Sequence, residues 1–422
     1  MIYDDIKFAI CILGTILPFL WVFRLKRLGA WIYFSLIIVF LYFYNGLGGC
    51  IPKVSITYLL SYIIYMCMLS IVIKKSKLGF NFTAADDLVF TLYIKRKAKK
   101  IIYLYFFVSL LTLVFPNFIL FRLVSPPSPD VYAALEANWS ENDGGAIAQI
   151  IYLVKLFLYP FFFWALSKYR RKISKISLLM ALDLYISYCH DSYISRYHIF
   201  VAILVIGFAY LSNASKIKRL VTFSISIIAA PTLAYFFYQY TFLRHGVDAV
   251  NISTSDAMLL LLESETGYPS LYSLYEGFFE PGLIWDYVVW ILLLPFPGFM
   301  KFGFGKFPTY YFTEIVTGMN PGDSGYAIIL PGLVGEALFV FGPILFFLHA
   351  VILGLLIKGV YNTFKNCSSL IYVFYYYAVV FSFKLARGGT FSVYPSVMKD
   401  FLILSLFLLY IKKHYHLKQI KS

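Results

Sequence analysis

Three arginines and one glutamate stand apart from the other charges of this chain. Arg196 lies in His190-Asp191-Ser192-Tyr193-Ile194-Ser195-Arg196-Tyr197-His198, Arg244 is followed directly by His245, and Arg387 sits in Lys384-Leu385-Ala386-Arg387-Gly388-Gly389-Thr390. A guanidinium is always charged and forks onto two phosphate oxygens, so three converging arginines would hold a pyrophosphate. The ordinary alternative is snorkelling, with each head reaching the membrane surface. Glu336 follows Pro331-Gly332-Leu333-Val334-Gly335 inside an apolar run. A carboxylate there is costly without a partner or a water-filled cavity. Two roles fit it: a buried pair with a Lys or Arg such as Lys384, or a general base. Gly332 and Gly335 would let another helix or a lipid approach the backbone closely. Asp183, also within an apolar run, reads as a structural hydrogen-bonding residue.

These residues must be positioned by membrane-crossing helices. The chain of 422 residues is 61% hydrophobic and 14% charged, and its mean hydropathy is +0.77, which excludes a soluble domain of this length. Apolar runs near the ~20 residues that cross ~30 Å of hydrocarbon fall at Ile6–Phe23, Ala30–Asn45, Ser55–Ile73, Ile101–Phe121, Ile151–Leu166, Ile176–Cys189, His198–Leu211 and Leu220–Tyr240. Three more follow at Ile328–Ile357, Ser368–Ala386 and Val393–Ile411.

Most of the 36 Lys and Arg cluster between these runs: Arg24–Arg27, Lys74–Lys77 with Lys95–Lys100, Lys168–Lys175, Lys216–Arg219, Lys358 with Lys365, and Lys412–Lys421. Short loops rich in Lys and Arg stay cytoplasmic, so the clusters mark the inner face. Arg122, Arg196, Arg244 and Arg387 then fall on the outer side, where orientation does not call for them. The net charge of +15 is spread over short loops beside the membrane. It therefore reads as a topology signal with contact to anionic lipid, and no nucleic acid is expected.

The expected fold is all-α: a polytopic integral membrane protein of about 11 transmembrane helices, with the C-terminus in the cytoplasm. An N-terminal bundle of eight spans covers 1–240, an external region 241–327, and three C-terminal spans with a cytoplasmic tail 328–422. Leu283–Met300 contains Asp286, Pro295 and Pro297, and a single crossing there would put the last basic clusters outside. A partly embedded helix that does not cross fits better. Pro269 can open a helix that Pro281-Gly282 would close. Tyr268, Tyr272, Tyr275 and Phe279 then share one face, as an aromatic belt or as a stacking platform for sugar rings.

No nucleotide-binding motif is present, and no His/Cys/Asp spacing offers a metal site. The five cysteines, Cys11, Cys50, Cys67, Cys189 and Cys367, are scattered and form no disulfide framework. Met1-Ile2-Tyr3-Asp4-Asp5 lacks the basic region of a cleavable signal peptide.

The chain resembles the Wzy-type oligosaccharide repeat-unit polymerases of bacterial O-antigen and capsule synthesis. The likeness rests on Ser195-Arg196 before a span and on Pro295-Phe296-Pro297-Gly298 followed by Lys301 and Lys306. It rests also on Gly335-Glu336 with Gly342, and on Arg387-Gly388 at the outer end of the penultimate span. These pieces cover roughly the second half of the chain. Where the family would carry an acid after Arg387-Gly388, this chain has Gly389.

The resemblance implies an inner-membrane glycosyltransferase that uses undecaprenyl-pyrophosphate-linked oligosaccharide, with no cofactor and no metal. Glu336, or second His245, would act as base. Arg196, Arg244 and Arg387 would bind the pyrophosphate, and Tyr268, Tyr272, Tyr275, Lys301 and Lys306 the glycan. Membrane lipids, a chain-length regulator and a flippase are the implied partners. An O-antigen ligase, or a flippase or transporter of lipid-linked oligosaccharide, is the alternative.

Overall fold

The computed structural model describes residues 28–50, 53–114, 145–191, 194–243, 253–276, 283–296, 308–320 and 328–420, with a few isolated positions between them. These residues are helical, with no strand among them. Six described helical runs are long and apolar enough to cross a membrane: Gly29–Gly49, Ile56–Lys75, Ala146–Tyr169, Arg196–Asn213, Gly332–Phe364 and Ser368–His414. The last holds both of the final two expected spans. The expected span at Ile6–Phe23 lies outside the described residues.

The chain gathers into two compact units that interleave in sequence and do not follow divisions at residues 240 and 327. One comprises Met1–Ala98, Leu156–Ser167 and Thr266–Ser422, the other Lys99–Lys155 and Lys168–Glu265.

In the first unit, α1 (Leu28–Ile37) runs on through a π-helical stretch, Ile38–Tyr44, into a short turn of helix at Asn45–Gly49. Next comes α2 (Ile56–Lys75). Ser55 caps it by accepting from Tyr58 N, and Lys74 and Lys75 complement the dipole of its last turn. Ile56, Leu60, Ile64 and Ile71 form its exposed stripe, while Tyr58, Ser61, Tyr62 and Tyr65 turn inward. Apolar residues outside and hydroxyls inside is the arrangement a lipid solvent demands, because polar groups find partners only within the protein. The protein is membrane-embedded. α3 (Ala84–Thr112) begins in this unit, and α4 (Gly145–Leu166) ends in it.

The second unit holds α5 (Ile173–Asp191), α6 (Arg196–Asn213), α7 (Lys216–Leu243) and α8 (Thr254–Thr266). Tyr240 Oη donates to Ile194 O at 2.6 Å and accepts from Ile194 N at 2.8 Å, tying α7 to the turn before α6. Buried Asp183 accepts a hydrogen bond from Tyr105 Oη, in keeping with a structural role.

The first unit resumes with α9 (Tyr268–Tyr275), α10 (Ile284–Leu293), α11 (Thr309–Thr317) and α12 (Gly332–Phe364). Ten residues make α10 ~15 Å long, too short to cross. It buries Tyr287 and Trp290 and leaves Trp285 77% exposed. α13 (Ile371–Val379), α14 (Leu385–Ser396) and α15 (Leu402–Ile420) follow, joined by π-helical stretches at Val380–Lys384 and Val397–Phe401.

α2 and α12 lie side by side and run parallel: Tyr65 meets His349, and Val72 lies against Gly354. Lys74 and Lys75 at the end of α2 and Lys365 after α12 therefore fall at one end of the first unit. There Lys412 Nζ pairs with Asp86 Oδ2 at 3.0 Å. Asp87 accepts from Ser368 N at 3.0 Å and Oγ at 2.8 Å, and from Ser369 N at 3.0 Å and Oγ at 2.5 Å, capping the turn into α13. The opposite end carries Ser55, α9 and the start of α12, with Ser55 Oγ donating to Glu276 Oε2 at 2.6 Å.

Candidate functional site

The chemistry-bearing residues of the first unit meet where two helices are both broken. Pro343 has no N–H to donate and its ring crowds the preceding turn, so α12 cannot continue through it. Gly342 absorbs the break with φ 70° and ψ 174°. Gly389 does the same in α14, with φ 60° and ψ −159°. Both take a left-handed φ that a side chain resists.

Glu336 precedes the first break and is 1% exposed. Thr390 follows the second, and its backbone N–H, released from helical pairing by Gly389, donates to Glu336 Oε2 at 2.7 Å. Its hydroxyl donates to Glu336 Oε1. That hydroxyl has one proton, so Tyr287 Oη, 2.6 Å from Thr390 Oγ1, is the donor to it. The carboxylate thus caps the helical segment that starts at Thr390, using the same electrostatics that favour anions at helix N-termini. A Cβ at Gly389 would stand 2.0 Å from Glu336 Oε2, so any side chain here, the expected acid included, would have to displace that carboxylate and hold a strained positive φ.

His349 lies beyond the break in α12 and is fully buried. In an unbroken helix, 13 residues would separate it from Glu336 by ~20 Å along the axis, yet His349 Nε2 is 3.9 Å from Glu336 Oε1. That gap is too long for a hydrogen bond. Nε2 has no hydrogen-bond partner among the described residues. His349 Nδ1 and Tyr65 Oη are bonded at 2.7 Å. With the phenol donating, the imidazole proton sits on Nε2, facing the carboxylate. Tyr287, Phe341 and Tyr65 surround the ring at centroid distances of 5.9, 5.8 and 5.8 Å.

The pairing of Glu336 with a Lys or Arg does not occur among the described residues; its titratable neighbour is His349. Lys384 Nζ instead donates to Ser396 Oγ at 3.1 Å. The close approach expected at Gly332 and Gly335 is made by α9. A Cβ at Gly335 would lie 3.0 Å from the Tyr272 ring, and one at Gly332 would lie 3.0 Å from Tyr268 Cβ.

Tyr268 and Tyr272 are accordingly buried, and Tyr275 is half-buried. Tyr272 stacks on Phe312 at 6.4 Å, so these two rings serve packing rather than an open platform. Burial, and after it the nearby Glu276 carboxylate, push the Tyr272 phenol well up, and it stays neutral. Arg387, half-buried, points Nε at Tyr268 Oη at 3.5 Å, a long contact near the outer edge of hydrogen bonding.

Arg196 belongs to the second unit and opens α6 after Ser195, which caps the helix by accepting from His198 N at 3.3 Å. A cation in a first turn opposes the helix dipole, so helix electrostatics do not explain it. Arg244, His245, Lys301, Lys306 and Phe279 lie outside the described residues.

Sequence reasoning missed His349, Thr390, Tyr65 and Tyr287. The available signal was Gly342-Pro343, which announces a break seven residues before the histidine. No group of His, Cys, Asp and Glu among the described residues could hold a metal ion. The chain matches no protein-family model, no curated protein and no solved structure.

Proposed function

We propose that the protein is a membrane glycosyltransferase that joins undecaprenyl-pyrophosphate-linked oligosaccharide repeat units into a surface polysaccharide. One observation carries the reading: Gly335-Glu336 and Arg387-Gly388, two of the stretches that resemble the Wzy-type polymerases, adjoin each other through the contact of Glu336 with Thr390. They do so at breaks in membrane-depth helices, where polar backbone and side chains are tolerated only if they serve a cavity or each other.

In the proposed reaction an acceptor sugar hydroxyl attacks the anomeric carbon of the donor. The new C–O bond forms as the bond to pyrophosphate breaks. Glu336 takes the hydroxyl proton, and His349, whose Nε2–H faces the carboxylate 3.9 Å away, helps to position it. Arg387 stabilises the charge that gathers on the departing pyrophosphate. Pyrophosphate is a good leaving group. The chemistry belongs on the outer face of the inner membrane, where the donor is already lipid-linked.

The test is deletion of the gene and gel analysis of surface polysaccharide. Loss of the ladder with one repeat unit left on core supports a polymerase. Loss of all repeat units from core, with polymer accumulating on the lipid carrier, would mean a ligase. An unchanged ladder would exclude both.

A further inference from the structure

The helices that carry Arg387 and Thr390 hold a second buried acid, Asp400, which the proposed reaction does not use. Lys384 Nζ donates to Ser396 Oγ at 3.1 Å across 12 positions, and Tyr376 Oη donates to Asp400 Oδ2 at 2.9 Å across 24. Both rungs straddle the break at Gly389, so the chain forms an antiparallel hairpin with Arg387 and Thr390 at its tip. Tyr376 lies 11 residues before Arg387, or ~16 Å of helix, which sets Asp400 well away from that tip within the Ser368–His414 run.

Two π-helical stretches bring these charges into the hairpin. Lys384 ends one, Val380–Lys384, and Asp400 lies in the other, Val397–Phe401. A π turn inserts a residue into a helix and recurs at functional sites.

Asp400 is buried, and its two oxygens are unlike. Oδ2 has the Tyr376 phenol, whereas Oδ1 has no hydrogen-bond partner among the described residues. Glu336 differs, because Thr390 gives each of its oxygens a donor. An ionised Asp400 would leave half its charge on a bare oxygen at membrane depth, a cost that a neutral carboxyl avoids. The Lys384 ammonium acts the other way, since its charge favours the anion, and Lys399 acts in the same sense. The neighbouring α4 and α12 bring rings. Tyr159 and Phe163 pack on Tyr376 at 5.3 and 4.9 Å, and Phe364 packs on Phe401 at 5.7 Å. Different neighbours thus oppose the two protonation states.

We propose that Asp400 is a proton-binding site inside the membrane, with Lys384 as its partner charge. Uptake forms an O–H bond at Oδ1 with a proton drawn from the aqueous phase, and the net charge of the pair goes from zero to plus one. Lys384 is three residues from Arg387, so the site conveys pH to the hairpin tip. The inference is independent of the polymerase reading.

Infrared difference spectra of the full chain in lipid, taken between about pH 5 and about pH 9, test it. Wild type should show the C=O stretch of a protonated carboxyl at low pH and lose it as the pH rises. Asp400→Asn should lose that band. Lys384→Met should hold it to higher pH, because the cation that favours the anion is gone. If Asp400→Asn fails to fold, Asp400→Glu replaces it, in protein whose aspartates alone carry an isotopic label at the carboxyl carbon. The wild-type band should then shift with the label, and the Asp400→Glu band should not. A pH-dependent band identical in wild type and Asp400→Asn overturns the proposal, as does the absence of such a band from wild type. An unchanged pH profile in folded Lys384→Met overturns the pairing with Lys384.

Discussion

The backbone N–H of Thr390 and the carboxylate of Glu336 are joined at 2.7 Å across 54 positions of sequence. Each solves the other's difficulty. The N–H has lost its helical acceptor at Gly389, and the carboxylate is buried without a Lys or Arg. An unpaired backbone donor or an unpaired carboxylate at this depth would each cost several kcal/mol, roughly.

Gly389→Ala should be among the most damaging small substitutions in the protein. It adds a Cβ 2.0 Å from Glu336 Oε2 at a residue with φ 60°. A loss of at least ~2 kcal/mol is expected, read as a fall in thermal midpoint in detergent. Shortening Glu336 in the same chain should recover part of it, since the two changes share one contact. Equal midpoints for Gly389→Ala and wild type would contradict the geometry.

Glu336→Gln separates catalysis from capping. The amide keeps an oxygen for Thr390 N but accepts no proton, so chain extension should slow by ~10²–10⁴-fold while the protein remains folded. Thr390→Val keeps the backbone bond and removes the hydroxyl, and it should cost far less. Purified, folded Glu336→Gln that polymerises at the wild-type rate would leave the carboxylate a structural cap alone.

Arg387→Ala should abolish polymer while leaving membrane yield nearly unchanged, and Arg387→Lys should rescue poorly because the bidentate fork is lost. Tyr268→Phe removes only the hydroxyl 3.5 Å from Nε and should change activity little. A normal ladder from the alanine variant would favour snorkelling as the reason for this arginine.

Acid should loosen the lysine-bearing end through Asp86. Burial pushes its carboxyl up, but hydrogen bonds from Thr83 N and Lys412, then Thr83 Oγ1 and the Lys412 charge, outweigh burial and hold it below the usual carboxylate range. The folded value is thus lower than the unfolded one of ~3.9. Its contribution to stability is complete above about pH 4 and is lost as the pH falls through the folded value. Thermal midpoints measured from pH 7 to pH 3 should drop less in Asp86→Asn than in wild type, because the variant lacks that contribution throughout.

Much of this was legible in the sequence where a single residue type decides the physics. Gly332 and Gly335 announced a close approach, and α9 makes it. Leu283–Met300, with its acid and two prolines, reads as a partly embedded helix that does not cross, and the helix described within it, Ile284–Leu293, has ten residues. The lysine clusters foretold a common end, and Lys74, Lys365 and Lys412 share it in the first unit because α2 and α12 run parallel.

His349 was not legible, because periodicity assumes an unbroken helix and Gly342-Pro343 resets both direction and phase between it and Glu336. Thr390 was hidden for a related reason: its relevant atom is a backbone nitrogen freed by a neighbour's dihedral angles, which no side-chain pattern reveals. Tyr268 and Tyr272 do share a face, but spacing alone does not say which side that face meets, and here it meets α12.

The break at Gly342 also sets how the chain fits its solvent. Straightened, the 33 residues of Gly332–Phe364 would form a rod of ~50 Å against a hydrocarbon layer of ~30 Å. Such a rod would tilt steeply, thicken the lipid around it or lift its first turns into water, each a penalty of hydrophobic mismatch. Lifted out, Glu336 would need no partner. Folding the rod at one glycine and one proline trims it to the bilayer and keeps the carboxylate at depth, so bilayer thickness itself becomes a variable to which this site should respond.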